Sequence, residues 1–397
     1  MRNVVLAVSV LFTVLLAGDP VTGDSLRRGY NGLAATPPMG WNNYNAYGLD
    51  FTEELVRQTA DAMVSTGLRD AGYQFVNLDD GWMAATRDAD GNLRADPARF
   101  PSGIAALADY VHARGLKLGV YQDAGLKTCG GLPGSLGHER ADATMLASWG
   151  VDYLKYDNCY AGPGCDQISC PDGTAAPAQD RYAVMRDALL ATGRPIVFSI
   201  CSWGTENVAS WAAGYGNLWR TTGDISTTYT SMLSIFEQTV GLSASAGPHG
   251  WNDPDMLQIG NGMTVIEDRT ELSLWAMLAA PLITGTDLVS ATPETLALLT
   301  NAAVIAVDQD PLGRAATLVT AADGLNVLAR PLSGGDVAVA LFNETDSPAT
   351  ITTNLSAVGV AAGNHTRTDL WSGAATSSAG PIEATVPAHG TVLYRID

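Results

Sequence analysis

Short apolar segments alternate with amphipathic stretches between about residue 36 and residue 310. The apolar segments contain β-branched or aromatic side chains and end at turn residues, which is typical of strands. They lie at residues 73–78, 116–121, 151–156, 196–200 and 218–221. Apolar positions at helical spacing occur between them, at residues 52–65, 139–149, 181–191 and 269–280. Repeated strand–helix units over about 270 residues predict one (β/α)8 TIM barrel at residues 24–310.

A doubly wound sheet is the alternative arrangement of such units. That fold usually carries a glycine-rich phosphate-binding turn after its first strand, and this chain has none. After residue 310 the helical periodicity ends. Short Val-, Leu- and Thr-rich segments then alternate with Asp-Gly, Gly-Gly and Asn-Glu-Thr turns, at residues 325–330, 337–343, 349–354 and 391–396. This pattern predicts a C-terminal antiparallel β-sandwich domain at residues 311–397.

The first residues have the pattern of a secretory signal peptide. Arg2 precedes an apolar run over residues 4–17, which is shorter than the ~20 residues that a membrane-spanning helix needs. Small and turn-forming residues follow this run. We expect a signal peptide at residues 1–23 and a secreted protein, with a retained membrane anchor as the alternative.

The charge balance narrows the range of partners. The chain has 22 basic and 41 acidic residues, a net charge of −19, and 46% of its residues are hydrophobic. Such a chain buries a large core, and its surface repels nucleic acids and anionic membranes. We therefore expect no nucleic-acid partner and no membrane contact after removal of the signal. Neutral ligands remain possible, and nothing in the sequence indicates an oligomeric state.

Five cysteines are compatible with disulfides in an exported protein. Cys165 and Cys170 share one loop rich in glycine and proline and are close enough to close a small ring. Cys129 and Cys159 each follow a predicted strand by a few residues, so both can lie at the same end of a sheet. Cys201 is then left over. Spacing alone leaves this pairing open, and the absence of a C-x-x-C pair argues against zinc-ribbon and thioredoxin folds.

Polar and aromatic residues follow the predicted strands. These residues are Asp79-Asp80-Gly81-Trp82, Gln122-Asp123, Asp157-Asn158-Cys159, Cys201-Ser202-Trp203, Thr222-Gly223-Asp224 and Trp251-Asn252-Asp253-Pro254-Asp255. In a parallel barrel all strand C-termini open on one face, where active sites lie. A single aspartate there is as easily a helix N-cap. Six polar strand ends are harder to explain by capping, so we expect an active site at this face.

Two pairs of residues carry most of the expected chemistry. Lys155 and Asp157 are two apart on one strand and face the same side, so the ammonium group should lower the pKa of Asp157. That environment suits a nucleophile, although a buried structural ion pair is the alternative. The adjacent carboxylates Asp79 and Asp80, next to Trp82, suit vicinal sugar hydroxyls. A metal site is less favoured, because the five histidines are scattered.

Carbohydrate hydrolysis is the function that these features favour. A G-x-S-x-G elbow is absent, which argues against a serine hydrolase. Nine tryptophans and thirteen tyrosines fit stacking on sugar faces, although most of them belong in the core. Two carboxyl groups suffice for glycoside hydrolysis, one as nucleophile or base and one as acid. We expect no metal and no organic cofactor.

Six strings in the sequence resemble glycoside hydrolase family 27, the α-galactosidase (melibiase) family of clan D. They are TPPMGWNN at 36–43, NLDDGW at 77–82, LKLGVY at 116–121, YLKYDNC at 153–159, WRTTGD at 219–224 and GWNDPDM at 250–256. The strings run in the family order and span most of residues 36–310. A C-terminal β domain is likewise a feature of the family.

The resemblance implies a retaining mechanism in which Asp157 is the nucleophile and Asp224 the acid and base. Their carboxyl groups should then lie about 5–5.5 Å apart, and the pKa of Asp224 should be raised in the free enzyme. The resemblance also implies how the sugar is bound. Asp79 and Asp80 would hold its 4- and 6-hydroxyls, Lys155 its 3- and 4-hydroxyls, and Arg220 its 2- and 3-hydroxyls. The remaining pocket residues would be Tyr121, Asp255, Trp41, Tyr44, Cys201, Ser202 and Trp203. The resemblance further implies a Cys129–Cys159 disulfide beside the nucleophile.

Two positions depart from the family pattern. Tyr44 stands where a second tryptophan usually stacks on the sugar. Ser202 stands where many α-galactosidases have a larger residue near the 2-hydroxyl, and in related α-N-acetylgalactosaminidases a serine there helps to admit the acetamido group. The leading hypothesis is a secreted exo-α-galactosidase acting on oligosaccharides or galactomannan. The alternatives are an α-N-acetylgalactosaminidase, a β-L-arabinopyranosidase, against which Asp80 argues mildly, and a non-catalytic sugar-binding protein.

Overall fold

The computed structural model describes residues 30–397. The predicted signal peptide of residues 1–23 lies outside the described residues. Within residues 30–397, none of the helices combines the length and the apolar character needed to cross a membrane.

Eight parallel strands form the first sheet, in the spatial order β7-β6-β5-β4-β3-β2-β1-β8. They are β1 Met39–Asn42, β2 Phe75–Leu78, β3 Lys117–Asp123, β4 Tyr153–Asp157, β5 Val197–Ile200, β6 Leu218–Arg220, β7 Trp251–Asp253 and β8 Leu282–Thr284. A parallel bridge between Leu257, after β7, and Thr284 joins the two ends of the sheet. Neighbouring strands follow the chain order, so the predicted barrel is confirmed and the doubly wound alternative is wrong.

Helices surround this barrel. They are α1 Tyr44–Tyr47, α2 Glu53–Ser65, α3 Leu68–Ala71, α4 Gly103–His112, α5 Glu139–Ser148, α6 Ala178–Ala191, α7 Tyr229–Val240, α8 Val265–Leu278, α9 Pro293–Leu299 and α10 Ala302–Asp308. Helix α8 begins four residues before the predicted 269. Thr264 and Glu267 form a capping box at its start, and this satisfies backbone N–H groups that apolar periodicity does not reveal.

The remaining strands form two antiparallel sheets, which confirms the predicted β-sandwich class. One sheet has the order β14-β13-β16-β11-β10-β9 and the other pairs β12 with β15. The strands are β9 Thr317–Ala322, β10 Leu325–Pro331, β11 Val337–Asn343, β12 Ala349–Thr353, β13 His365–Asp369, β14 Ala375–Ser378, β15 Ile382–Val386 and β16 Thr391–Ile396.

Strand β11 is apolar on both faces. Ala338, Ala340 and Phe342 belong to the core that continues into the barrel, whereas Val339 and Leu341 face the core between the two sheets. Alternate side chains point to opposite faces of a strand, so burial on both sides demands an unbroken apolar run. Helix α8 packs against β11, and its residues 270–278 are all buried although Glu271 and Ser273 are polar.

Polar contacts also join the two domains. The buried Arg330 guanidinium on β10 donates to the backbone carbonyls of Ala276 and Asp308. His389, near the start of β16, stacks on the Tyr229 ring of α7 with centroids 3.9 Å apart. Its Nδ1 lies 2.8 Å from the Glu267 carboxylate of α8, and its Nε2 lies 2.9 Å from Asp346 of its own domain.

The carboxylates of Glu267 and Asp346 determine the direction in which the pKa of His389 is shifted. Partial burial would lower the pKa of His389, but hydrogen bonds to Glu267 and Asp346 and their negative charges raise it above its ordinary value. A histidine whose pKa is raised by folding stabilises the folded state below its unfolded pKa of about 6.5. That contribution is lost as the pH rises through the folded pKa.

We therefore expect His389→Asn to lower the Tm most in mildly acidic solution, by about 1–3 °C near pH 5.5, with the difference shrinking as the pH rises through the pKa of His389 in the folded protein. Asparagine is chosen because His389 has a φ of 56°, which asparagine tolerates. Calorimetry across this pH range measures the effect, with His138→Asn on an exposed barrel position as control. A Tm difference that does not change with pH would contradict the assignment.

Candidate active site

A cavity of about 270 Å³ opens at the C-terminal ends of the barrel strands. Ten of the thirteen predicted catalytic and binding residues line it, namely Tyr44, Asp79, Asp80, Tyr121, Lys155, Asp157, Trp203, Arg220, Asp224 and Asp255. Asp157 comes from the last position of β4, and Asp224 from the loop after β6. The barrel thus brings side chains from seven strand ends, those of β1 to β7, to one concave surface.

Lys155 pairs with Asp79 rather than with its neighbour on the strand. Its Nζ lies 2.7 Å from Asp79 Oδ2, and Asn42 Nδ2 donates to the same oxygen at 2.7 Å. The other Asp79 oxygen accepts the backbone N–H of Asp80 at 2.9 Å. Asp79 is therefore fixed as a hydrogen-bond acceptor beside an ammonium group, an arrangement that suits adjacent hydroxyls.

Asp80 presents one free oxygen. Its Oδ2 accepts the backbone N–H of Gly130 at 2.6 Å, while its buried Oδ1 has no hydrogen-bond partner among residues 30–397. A side chain at Gly130 would place its Cβ 2.8 Å from Asp80 Oδ2, so glycine permits this close approach. Burial raises the pKa of Asp80 to about 6, with the charge of Asp79 adding to the effect.

Asp157 is buried and held by two donors. Trp203 Nε1 donates to its Oδ1 at 2.9 Å, and the backbone N–H of Asn158 donates at 3.0 Å. Burial raises its pKa, the Lys155 charge opposes this, and the charges of neighbouring carboxylates add to it. The expectation of a lowered pKa is therefore wrong for the ligand-free site, because Lys155 is engaged by Asp79 and burial outweighs its more distant charge.

Asp224 has the opposite environment. Arg220 Nη2 lies 2.9 Å from Asp224 and 3.0 Å from Asp255, and 73% of the Asp224 side chain is exposed. Partial loss of hydration would raise the pKa of Asp224, but the charges of Arg220 and Lys155 and the Arg220 hydrogen bond lower it. At so exposed a position the nearby cations outweigh desolvation. The raised pKa expected for Asp224 is therefore wrong for the ligand-free site.

Three predicted binding residues do not line the cavity. Trp41 is fully buried, and its Nε1 donates to the backbone carbonyl of Thr286 at 2.8 Å. Asn42 on the same strand contacts Asp79, so the alternation of side chains turns Trp41 to the other side. Cys201 and Ser202 are also buried, with Cys201 Sγ 3.7 Å from Arg220 Nη1. These three residues lie behind the cavity wall.

Two disulfides stabilise loops at this face. Cys129–Cys159 joins the loops after β3 and β4, and Cys165–Cys170 closes a ring further along the second loop. Both pairings that the spacing allowed are confirmed, and Cys201 is the remaining thiol. Asp123, Cys129 and Cys159 lie close enough together to suggest a metal site. The two sulfurs are oxidised to a disulfide, so they offer no thiolate ligands.

Asp123 is a buried group to which sequence analysis assigned no role. Its Oδ2 accepts the backbone N–H of Cys159 at 3.0 Å, and its Oδ1 accepts that of Gly125 at 2.7 Å. Burial, aided by the charge of Asp157, raises its pKa well above the ordinary value. Asp123 therefore anchors the loop that follows Asp157.

Five further residues line the cavity without having been predicted as site residues, and these are Asn45, Gln167, Ile168, Gly223 and Met256. Gln167 and Ile168 lie between Cys165 and Cys170, in the loop after β4. Their position between two cysteines after the Asp157 strand is a signal in the sequence, but only the fold shows that the loop returns to the cavity.

Both domains of the chain are similar to known protein families. A family described as Alpha galactosidase A matches residues 36–310, and one described as Alpha galactosidase C-terminal beta sandwich domain matches residues 322–396. An α-galactosidase of Cyamopsis tetragonoloba is 50% identical over 92% of this chain and 87% of its own. The structure of α-galactosidase I from Mortierella vinacea superposes with a TM-score of 0.87 at 36% identity, over 92% of this chain and 98% of that one.

A further similar structure is that of a Saccharomyces cerevisiae α-galactosidase with raffinose. It has a TM-score of 0.86 at 31% identity, over 93% of this chain and 99% of that one. The matching families cover both domains, and the similar proteins align over nearly the whole chain. The chain therefore belongs to the α-galactosidase (melibiase) family of glycoside hydrolases, family 27.

Proposed function

We propose that this protein is a secreted, exo-acting α-galactosidase that cleaves terminal α-linked galactose from oligosaccharides or galactomannan with retention of configuration. The observation that carries the proposal is one open cavity lined by Asp157 and Asp224 together with hydroxyl-binding groups. The named α-galactosidases at about half identity support galactose as the sugar. The two disulfides support export, because such bonds persist in oxidising compartments.

The proposed reaction is a double displacement. An Asp157 oxygen attacks the anomeric carbon while Asp224 gives its proton to the departing glycosidic oxygen. This breaks the glycosidic bond and forms a galactosyl ester on Asp157. Asp224 then takes a proton from water, and that water attacks the anomeric carbon and releases Asp157. The second inversion restores the α-configuration of the galactose.

This reaction needs a proton on Asp224 and a charge on Asp157, whereas in the ligand-free site burial raises the pKa of Asp157 and the Arg220 charge lowers the pKa of Asp224. Bound sugar hydroxyls can resolve the difference by taking over the Arg220 hydrogen bond to Asp224. The pKa of Asp224 would then rise, since it loses a cationic partner and the sugar displaces water. Asp157 keeps its donors Trp203 and Asn158, which favour its ionised form. Substrate binding thus places the proton where the first step needs it.

Removal of the nucleophile should stop turnover. We expect Asp157→Ala to lower kcat on 4-nitrophenyl α-galactoside by about a thousandfold or more, because no covalent intermediate can form. Added azide should restore release of nitrophenol and yield β-galactosyl azide, whereas Asp224→Ala with azide should yield the α-anomer.

The exposed Asp70→Ala serves as control, and ¹H NMR of the first sugar released reports its anomeric configuration. Normal turnover by Asp157→Ala without azide, or release of β-galactose by the unaltered enzyme, would contradict the mechanism.

A rise in the pKa of Asp224 on substrate binding predicts different pH profiles for kcat/KM and kcat. The profile of kcat/KM reports the free enzyme and that of kcat reports the substrate complex. Since binding should raise the pKa of Asp224, the alkaline limb of kcat should lie about one pH unit above that of kcat/KM. Steady-state kinetics across the pH range measures both limbs. Coincident limbs would show that substrate leaves the Asp224–Arg220 pair undisturbed.

The cavity wall predicts a preference for galactose. Ser202 is fully buried and is not among the residues that line the cavity, so it offers no contact to an acetamido group. A β-L-arabinopyranoside lacks the 6-hydroxyl and would leave a carboxylate oxygen of the Asp79–Asp80 pair unpaired. We expect kcat/KM for 4-nitrophenyl α-galactoside to exceed that for either analogue by about a hundredfold or more. Comparable turnover of the N-acetylgalactosamine analogue would overturn this specificity, and no turnover of any glycoside would favour a sugar-binding protein.

A further inference from the structure

A second depression adjoins the catalytic cavity. It has a volume of about 360 Å³ and shares three wall residues with the cavity, Gln167, Ile168 and Trp203. Tyr160 and Glu206 also line it. Because the three shared residues face both spaces, a ligand that extends out of the catalytic cavity meets this surface first.

The loop that separates the two spaces is internally braced. The Cys165–Cys170 disulfide closes it into a small ring. The Asp166 side chain accepts the backbone N–H of Ile168 at 3.1 Å and that of Ser169 at 2.8 Å. The loop therefore presents Ile168 in a defined position instead of sampling many conformations.

The same loop is tied to the catalytic residues. Gln167 Nε2 donates to the backbone carbonyl of Cys129 at 3.0 Å, and the backbone carbonyl of Gln167 accepts from Tyr160 N at 3.2 Å. Cys129 Sγ in turn lies 3.4 Å from Asp157 Oδ2. Ile168 is thus held at a set distance from the group proposed to attack the sugar.

Half of the large exposed apolar side chains in the described part of the chain, including the most exposed one, lie in segments that follow barrel strands. Ile168 is 76% exposed, the highest value among the large apolar residues exposed in residues 30–397. Of ten such residues, five lie in segments that follow barrel strands, and these are Tyr44, Leu49, Leu126, Ile168 and Val289. Exposed apolar groups around a polar cavity mark a ligand-contact surface.

We propose that the Cys165–Cys170 loop is the binding surface for the saccharide that leaves the galactose, with Ile168 packing on the apolar face of its sugar ring. Trp203 supplies a second apolar surface, and Gln167 and Glu206 supply polar groups for its hydroxyls. The acidic groups Asp166 and Glu206 favour a neutral leaving group over an anionic one. This inference rests on the proposed function and names the residues that determine selectivity for the leaving group.

The test compares two substrates that share galactose and differ in the leaving group. Raffinose has a saccharide leaving group that reaches the loop, whereas the fluoride ion of α-galactosyl fluoride is too small to do so. We expect Ile168→Ala to lower kcat/KM for raffinose about five- to tenfold. Alanine buries less apolar surface against the sugar ring than isoleucine does, and this is the usual size of such a loss. The value for galactosyl fluoride should change less than about twofold.

Two further variants distinguish an effect of the loop from a general effect of mutation on the enzyme. Ile266→Ala, an exposed isoleucine on α8, should leave both substrates unaffected. Cys165→Ala combined with Cys170→Ala opens the ring and should reproduce the selective loss on raffinose, with the Tm recorded to confirm folding.

The outcomes distinguish the two proposals. Suppose that the unaltered enzyme hydrolyses both substrates. If Ile168→Ala then leaves kcat/KM for raffinose unchanged, or lowers kcat/KM equally for both substrates, the inference about the loop is wrong and the proposed function stands. If the unaltered enzyme hydrolyses neither substrate, the proposed function fails and the inference fails with it.

Discussion

The chemistry of this protein depends on keeping several carboxylates together in one partly buried cavity. Five of them line it, Asp79, Asp80, Asp157, Asp224 and Asp255, beside the cations Lys155 and Arg220. Buried like charges repel one another strongly, and two ammonium or guanidinium groups cannot neutralise five acids. The site therefore separates its acids by giving them different partners, and the pKa is raised at Asp80, Asp157 and Asp255 and lowered at Asp224. Lys155 neutralises Asp79, Arg220 serves Asp224 and Asp255, and Asp157 is left with neutral donors.

The barrel makes this arrangement possible because its strands end at one face. Each strand contributes one or two polar groups, and none of the loops needs to hold the whole constellation. Local backbone strain accompanies it, since Trp203 and Asp255 have φ values of 56° and 84°. Such conformations persist only where the surrounding structure enforces them, and they cluster at functional sites. The strain here positions the donor to Asp157 and one partner of Arg220.

The C-terminal domain completes the core beneath α8 rather than the site. It covers a helix whose residues 270–278 are all buried, and it does so with a strand that is apolar on both sides. The buried Arg330 caps backbone carbonyls across this junction. Catalytic geometry and domain packing are thus separated, with the active face at the strand C-termini and the sheet domain against α8.

The sequence by itself determined the barrel, the sandwich domain and most of the cavity residues. Apolar periodicity and turn residues are local signals, and polar groups directly after parallel strands must gather at one face. Tertiary structure alone decided which groups pair. Lys155 pairs with Asp79, 76 positions away in the chain, instead of with Asp157 two positions away. Burial of Asp157 outweighs the Lys155 charge and raises its pKa, against the expected direction. Likewise, only the fold turns Trp41 away from the cavity and returns Ile168 to its rim. Charge pairing and burial depend on distances between remote segments, and spacing along the chain does not encode those distances.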